Sequence, residues 1–356
     1  MENIRVIVWG LGSMGGGMAK MLLGKTGVDV VGACARPPKA GKSLFEVIGL
    51  TDKDPGADKA KKVMVGEFDA VITEKAADVV LLCTDSYTKK AFDRLKFIME
   101  KKINVITCAE EMAYPAAQDP ELAKELDKIA KANGVSVLGT GINPGLIMDL
   151  LVVAWTGCCE SVDHIVSRRV NSLSPFGPVV MKEQGIGLPV EEFKQKAKDG
   201  SISGHIGFHE SIRMIADALG WKVDKIEQSM EPIVTDVDRK SPYGFAAKGN
   251  AAGVAMKGFG YVDGELKIEM DHPQQIEPEQ VGVKTGDYVI IKGTPNINMV
   301  NSPEVPGGIG TIAMCVNMIP QIINARPGLH TMLTLPVPHA IMGDMRDMVC
   351  EEARIK

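Results

Sequence analysis

A short β-branched run, Ile4-Arg5-Val6-Ile7-Val8-Trp9, breaks at once into Gly10-Leu11-Gly12-Ser13-Met14-Gly15, and a helix-like stretch follows as far as Leu23. Few architectures accept such a start. The run reads as a strand covered on both faces. Each glycine has its own task at this spacing. The first permits the tight turn, the second lets backbone N–H groups approach a pyrophosphate, and the third brings helix against strand. The helix N-terminus then offers partial positive charge to the phosphates. The pattern predicts a dinucleotide site with Gly10, Gly12, Ser13, Met14 and Gly15 at the cofactor.

Strand-like runs recur behind it at residues 29–35, 69–73, 79–84, 104–108 and 135–139, with helical patterns at 88–101 and 120–133. Continuous apolar strands alternating with helices predict an α/β domain over residues 1–150, a doubly wound parallel sheet of the Rossmann type. From about residue 155 the pattern changes. Strand-like pieces at 164–170, 226–234, 251–262, 266–270 and 288–292 share the stretch with one clear helix, 209–219, and a hairpin turn at 262–266. This predicts an α+β substrate domain over residues 151–302 with an open, mostly antiparallel sheet. Such a sheet leaves one face to be covered by helices or a second subunit. Residues 303–356 read as a helical segment returning to the first domain.

Composition closes other routes. With 356 residues, 45% hydrophobic and 24% charged, the chain has ample material for two cores. A net charge of −5 gives no electrostatic footprint for nucleic acid or an anionic membrane. The N-terminus lacks a basic leader, and the apolar stretch at 145–155 is short and interrupted by Asp149, so no membrane span is expected. Seven scattered cysteines, without a CxxC, point to a reducing cytoplasm and mostly buried thiols, the pair Cys158-Cys159 included.

The end of the second strand selects the cofactor. An acidic residue there would bind the ribose 2′-hydroxyl of NAD. The sequence instead offers Cys34-Ala35-Arg36-Pro37-Pro38-Lys39, with Lys42 beyond. Arg36 can meet a 2′-phosphate or stack on adenine, so NADP is preferred and NAD remains possible. Ligands in such sheets lie at the carboxyl ends of the strands. That rule nominates Gly10–Gly15, Cys83-Thr84-Asp85-Ser86, Thr107-Cys108-Ala109-Glu110-Glu111 and Gly139–Gly145, with Cys83, Thr84 and Glu110 near the nicotinamide ribose.

The N-terminal glycines, Cys83-Thr84-Asp85 and Gly139-Thr140-Gly141-Ile142-Asn143-Pro144-Gly145 resemble the dihydrodipicolinate reductase and diaminopimelate dehydrogenase superfamily. Within it, residues 204–211, 303–317 and 326–330 resemble the 2,4-diaminopentanoate dehydrogenase family over nearly the whole chain. The resemblance implies oxidative deamination at C4 of 2,4-diaminopentanoate to 2-amino-4-oxopentanoate in ornithine degradation, with an NAD(P) cofactor and a homodimer. The His-His and Lys signature of the reductases is absent. Asn143 stands where diaminopimelate dehydrogenases carry Asp, so a different diamine or pose is expected. The other readings are a different imine or aldehyde reductase or amino acid dehydrogenase of the superfamily, and a non-catalytic NADP(H)-binding sensor.

Deamination needs an oriented C–H bond, a proton acceptor, and anchors for the substrate's carboxylate and second amine. Asn143 is a candidate to orient substrate, and Asn before Pro144 is equally a helix N-cap. Asp85 and Glu110 could hold an ammonium or accept a proton; Glu111 could do so or face solvent; helix capping or ribose binding is the shared alternative. His205, His209 and Glu210 form the densest titratable group of the second domain, with His205 or His209 as the natural base near neutral pH. Their spacing lacks a third metal ligand, so no metal is expected. Arg168 and Arg169 alternate on a strand, so only one can face the cleft to hold a carboxylate, and surface ion pairing is the favoured alternative.

Overall fold

The computed structural model describes residues 2–354. The chain runs β1 (Ile4–Trp9), α1 (Ser13–Leu23), β2 (Val28–Cys34), α2 (Leu44–Val47), α3 (Ala57–Lys62), β3 (Val65–Gly66), α4 (Phe68–Val71), β4 (Val79–Leu82), α5 (Thr88–Glu100), β5 (Asn104–Thr107), α6 (Pro120–Asn133) and β6 (Ser136–Gly139). It continues with α7 (Leu150–Thr156), β7 (Ser161–Ser172), α8 (Pro178–Glu183), α9 (Val190–Asp199), α10 (Phe208–Ala218), β8 (Val223–Val234), a small hairpin of β9 (Arg239–Lys240) and β10 (Phe245–Ala246), β11 (Ala251–Val262), β12 (Glu265–Gln275), β13 (Gly286–Thr294) and β14 (Ile297–Asn301). Helices α11 (Gly307–Asn317) and α12 (Ile319–Asn324), strand β15 (Gly328–His330) and helix α13 (Glu351–Arg354) complete it. Contacts divide the chain into two units, one running to Gly145 and resuming at Gly308, the other Leu146–Gly307.

The first unit is an α/β domain. Its seven strands are all parallel, in the order β15-β6-β5-β4-β1-β2-β3. Strand β4 is buried at every residue, as Val-Val-Leu-Leu between two helical layers requires. Helix α6 shows how local sequence sets its ends. The Asp119 side chain accepts from Leu122 N at 2.9 Å, Pro120 opens the helix, and Gly134 closes it at φ +69°.

Two expectations fail here. Residues 69–73 are not a strand: Phe68–Val71 form α4, and the sheet position goes to the two residues of β3. Phe68, Asp69 and Ala70 are exposed, so the run lacks the two-sided burial of a parallel strand. The C-terminal segment is not only helical. Gly328–His330 adds the seventh strand beside β6.

The second unit carries a six-stranded sheet, order β14-β13-β7-β12-β11-β8, antiparallel except for the β7–β12 pair. The hairpin turn at residues 263–264 is as expected, with Asp263 and Gly264 at φ +52° and +75° between paired Val262 and Glu265. Helix α10 lies on one face. Gly258 and Gly260 of β11 admit it: a Cβ at Gly258 would sit 3.0 Å from the Phe208 ring, and one at Gly260 2.7 Å from Ile212. The other face shows Tyr261 and the ion pairs His164–Glu269 and Arg168–Asp271, partly exposed.

Candidate active site

The carboxyl edge of the first sheet is built from backbone. Gly10 adopts φ +99°, and a Cβ there would meet Cys83 O at 2.4 Å; one on Gly15 would meet Gly10 O at 1.9 Å. A Cβ on Gly12 would meet nothing within 4 Å. So Gly10 makes the turn, Gly15 the helix–strand contact, and Gly12 leaves an open approach. Helix α1 begins there with Gly12 as its N-cap, no side-chain cap and no acidic residue in its first turn, so its N–H groups suit a pyrophosphate. Gly10, Leu11 and Gly12 line a groove of about 1110 Å³ that runs past Arg36 and Cys83-Thr84-Asp85. The end of β2 brings no carboxylate to it. Lys39 donates to Leu11 O at 2.5 Å, and with Lys42 it borders a second hollow of about 440 Å³.

The loops after β4, β5 and β6 carry the other predicted residues. Asp85 accepts from Arg94 at 2.5 Å. Glu111 does not simply face solvent but takes the helix-capping alternative: its carboxylate accepts from Thr88 N at 2.8 Å and caps α5. Glu110, half-buried, opens a 3₁₀ turn after β5. The Cys108 thiol and burial hold the Cys83 thiol well above the usual range, so it stays protonated. The buried hydroxyls of Thr84 and Thr140 and both amide atoms of Asn143 make no hydrogen bond. Asn143 caps no helix. Turns follow it, and α7 starts seven residues later, capped by Asp149, which accepts from Leu150 N at 2.7 Å and from the Ser211 hydroxyl at 3.0 Å.

In the second unit the polar groups lie on strands. Register places Arg169 of β7 against Asp287 of β13, Asn171 against Gln274 of β12, and His272 next to Arg169, all on the α10 face. Arg169 and Asp287 form a buried ion pair, 2% and 1% exposed. Arg169 also donates to Val305 O at 2.6 Å, while Asp287 accepts from Val305 N at 2.8 Å and Asn301 at 3.2 Å. His272 Nδ1 lies 2.8 Å from Arg169 O. A carbonyl only accepts, so Nδ1 carries the proton and Nε2 is left as an acceptor. The His205 ring stands edge-on to His272 at 4.7 Å and to Phe208 at 5.4 Å. His205 Nε2, Asn171 Oδ1 and Gln274 Nε2 are buried without partners. Burial, aided by Arg169, pushes the His205 pKa down to about 3, and burial also lowers His272.

The comparisons agree along the chain. Residues 146–351 match the 2,4-diaminopentanoate dehydrogenase C-terminal domain family. A 2,4-diaminopentanoate dehydrogenase of Acetoanaerobium sticklandii is 73% identical over 356 residues, covering 100% of this chain and 99% of its own. This chain belongs to the 2,4-diaminopentanoate dehydrogenase family. An amine dehydrogenase of Streptomyces virginiae is 23% identical over 95% of the chain and 98% of its own length. The structure of an amine dehydrogenase from Mycobacterium smegmatis is 28% identical, covers 96% of this chain and 98% of its own, and superposes with a TM-score of 0.83.

Placed against that family, the expectations divide. The groove brings together Gly10, Gly12, Arg36, Cys83, Thr84 and Asp85. Burial, aided by Arg169, lowers the His205 pKa to about 3, so the ring stands neutral in the folded chain. His209 is half-buried, its pKa lowered by burial and by Arg213, and Glu210 is buried in the first turn of α10. Of the two arginines, Arg168 pairs with Asp271 at 2.8 Å on the half-exposed face, and Arg169 is the buried one. Cys158 is exposed and Cys159 half-buried, against expectation; both follow the last turn of α7. Sequence reasoning missed Asn171, His272, Gln274 and Asp287. Their signal is polarity at alternate positions of one strand face (Arg169 and Asn171, His272 and Gln274). Among the described residues, no group of three or more His, Cys, Asp or Glu side chains could hold a metal, and no helix is long and apolar enough to cross a membrane.

Proposed function

We propose that this chain catalyses NAD(P)-dependent oxidative deamination of 2,4-diaminopentanoate at C4, giving 2-amino-4-oxopentanoate, ammonia and reduced cofactor in ornithine degradation. The observation that carries the reading is the 73% identity to a 2,4-diaminopentanoate dehydrogenase over the full chain. The glycine groove of the first unit supports the cofactor, which supplies a hydride acceptor when bound. Gly12, Ser13, Met14 and the α1 N-terminus would hold its pyrophosphate, and Cys83, Thr84 and Glu110 would lie by its nicotinamide ribose. NADP is the preferred form, since Arg36, Lys39 and Lys42 gather where NAD enzymes place an acid.

Glu110 takes the proton released as the C4 amine becomes an imine and then, with water, a ketone. A half-buried carboxylate at the end of a central strand suits that task. Asn143 orients the amine through a carboxamide that no protein group engages. Within the second unit, the open valences of Asn171, Gln274 and His205, with His272 Nε2, form a polar face beside the Arg169–Asp287 pair that complements a carboxylate and an ammonium. His205 thus binds as a neutral ring, and His209 at the start of α10 supports its loop. The partly exposed sheet face, with Tyr261, Tyr288 and their ion pairs, is covered by a second copy in a homodimer. Seven unbonded cysteines suit a cytoplasmic enzyme.

The test is reduced-cofactor formation with 2,4-diaminopentanoate, NAD and NADP run in parallel, against diaminopimelate, ornithine and pentan-2-amine. Turnover confined to 2,4-diaminopentanoate, faster with NADP, is expected. Equal turnover of pentan-2-amine would remove the carboxylate site from the second unit. No turnover of any diamine would overturn the reaction.

A further inference from the structure

We infer that Asp85 and Arg94 form a cofactor-positioning pair, with Arg94 turned to the adenosine 2′-phosphate and the Phe68 ring carrying the adenine. The inference rests on the groove's reading as an NADP site and removes Asp85 from the chemistry. Three observations support it.

The first is the aromatic floor. Phe68 is 41% exposed, yet it is held from behind. It stacks on Trp9 at 4.8 Å with 12° between the planes, and Phe97 meets it edge-on at 5.2 Å. An exposed aromatic fixed by two others is a flat apolar surface prepared for a planar base, and all three line the groove. This also accounts for α4: the segment expected as a strand forms a short helix that presents Phe68 beside the end of β1.

The second is the state of Arg94. Its Nη1 donates to Asp85 at 2.5 Å and to Lys90 O at 3.0 Å, which fixes the guanidinium. Nε and Nη2 donate to no group among the described residues, and the side chain is 27% exposed. A guanidinium clamped at one nitrogen with its other donors open is pre-organised for an oxyanion. Asp85, spent on that clamp, is poorly placed to serve as the proton acceptor.

The third is topology. Strand β1 lies between β2 and β4, so Arg36 after β2 and Arg94 on α5 after β4 reach the groove from the two strands flanking Trp9. A phosphate there meets two guanidinium groups, while Lys39 is already bonded to the glycine loop.

Calorimetric titration of the full chain with adenosine 2′,5′-bisphosphate and with 5′-AMP reads this end of the site without turnover. Arg94→Ala should weaken the bisphosphate about tenfold and leave 5′-AMP within about twofold, the loss of one charge-assisted contact. Phe68→Leu, which keeps apolar bulk and loses the flat ring, should weaken both ligands about equally, by roughly five- to tenfold. Asp85→Asn should raise KM for NADP and hold kcat at saturating cofactor within about twofold. If wild-type protein binds the two ligands equally, the NADP reading fails. If wild-type protein prefers the bisphosphate and Arg94→Ala keeps that preference, only this inference fails. A collapse of kcat in Asp85→Asn at saturating NADP would return Asp85 to the reacting amine, and 5′-AMP binding unchanged by Phe68→Leu would move the adenine elsewhere.

Discussion

The two sheets hold their polar groups in opposite ways. In the parallel sheet they sit on loops beyond the strand ends, and much of the recognition is done by backbone: glycines that admit a ligand and a helix end that faces it. In the mixed sheet they sit within strands, on one face, as buried side chains. Arg169, Asn171, His272, Gln274 and Asp287 are each under a tenth exposed. A loop site tolerates loss of one side chain because most of its contacts remain. A buried polar face does not, since each group removed leaves another uncompensated in a poor solvent for charge. Lesions at the first edge should therefore change rates or affinities with little change in stability, and lesions on the second face should change stability too.

The largest effect tests the first half of that contrast. Glu110→Gln should lower kcat by about 10²- to 10⁴-fold, the usual share of a general base, with NADP affinity within about twofold. Stopped-flow hydride transfer and cofactor titration separate the two. A normal rate would move proton acceptance off this residue. Next is the buried pair. Asp287→Ala strips Arg169 of its counter-charge and frees Val305 N and Asn301, so about 3–5 kcal/mol of stability should go. Urea unfolding would read this, and a loss below about 1 kcal/mol would show that water reaches the guanidinium.

How much of this contrast the sequence announces depends on the physics of each site. The run Ile4–Trp9, helix 120–133 and strand 251–262 were legible because their periodicities and caps are local. So were Gly10, Gly12 and Gly15, whose function is set by their neighbours in sequence. Strands β3 and β15 were not, because two and three residues carry no periodicity. Helix α9 was missed because Phe193 is its sole buried residue. The polar face was hidden for a deeper reason. Asn171 and Gln274 face each other only through the β7–β12 register, across a hundred residues of chain. Asn143 lies between the cases: a local rule made it a helix cap, and the chain instead leaves its carboxamide without a bond.

That makes Asn143→Ala a sharper test, with a smaller effect. A cap would cost about 1 kcal/mol on removal. A carboxamide with no hydrogen bond costs nothing to lose, so the melting temperature should hold or rise. Turnover should still fall by about ten- to a hundredfold if the group orients substrate. A lower melting temperature with unchanged kcat would reverse both statements.

The smallest effect concerns protons. His205 has its folded pKa lowered from 6.5 to about 3, chiefly by burial, and His272 is shifted the same way. Once unfolded, both rings would titrate near the ordinary value. Below pH 6.5 the unfolded chain therefore binds protons that the folded chain refuses. Stability linked to these rings is complete above that pH and is lost as pH falls from about 6.5 toward 3. For one ring the slope approaches about 1.4 kcal/mol per pH unit. Acid sensitivity from these two rings should thus belong to the second unit. Urea unfolding of wild type and His205→Gln between pH 7.5 and 5 would show it, the variant losing less stability on acidification. Equal slopes would mean that His205 is hydrated in the folded chain, and the difference between an open edge and a closed polar face would shrink accordingly.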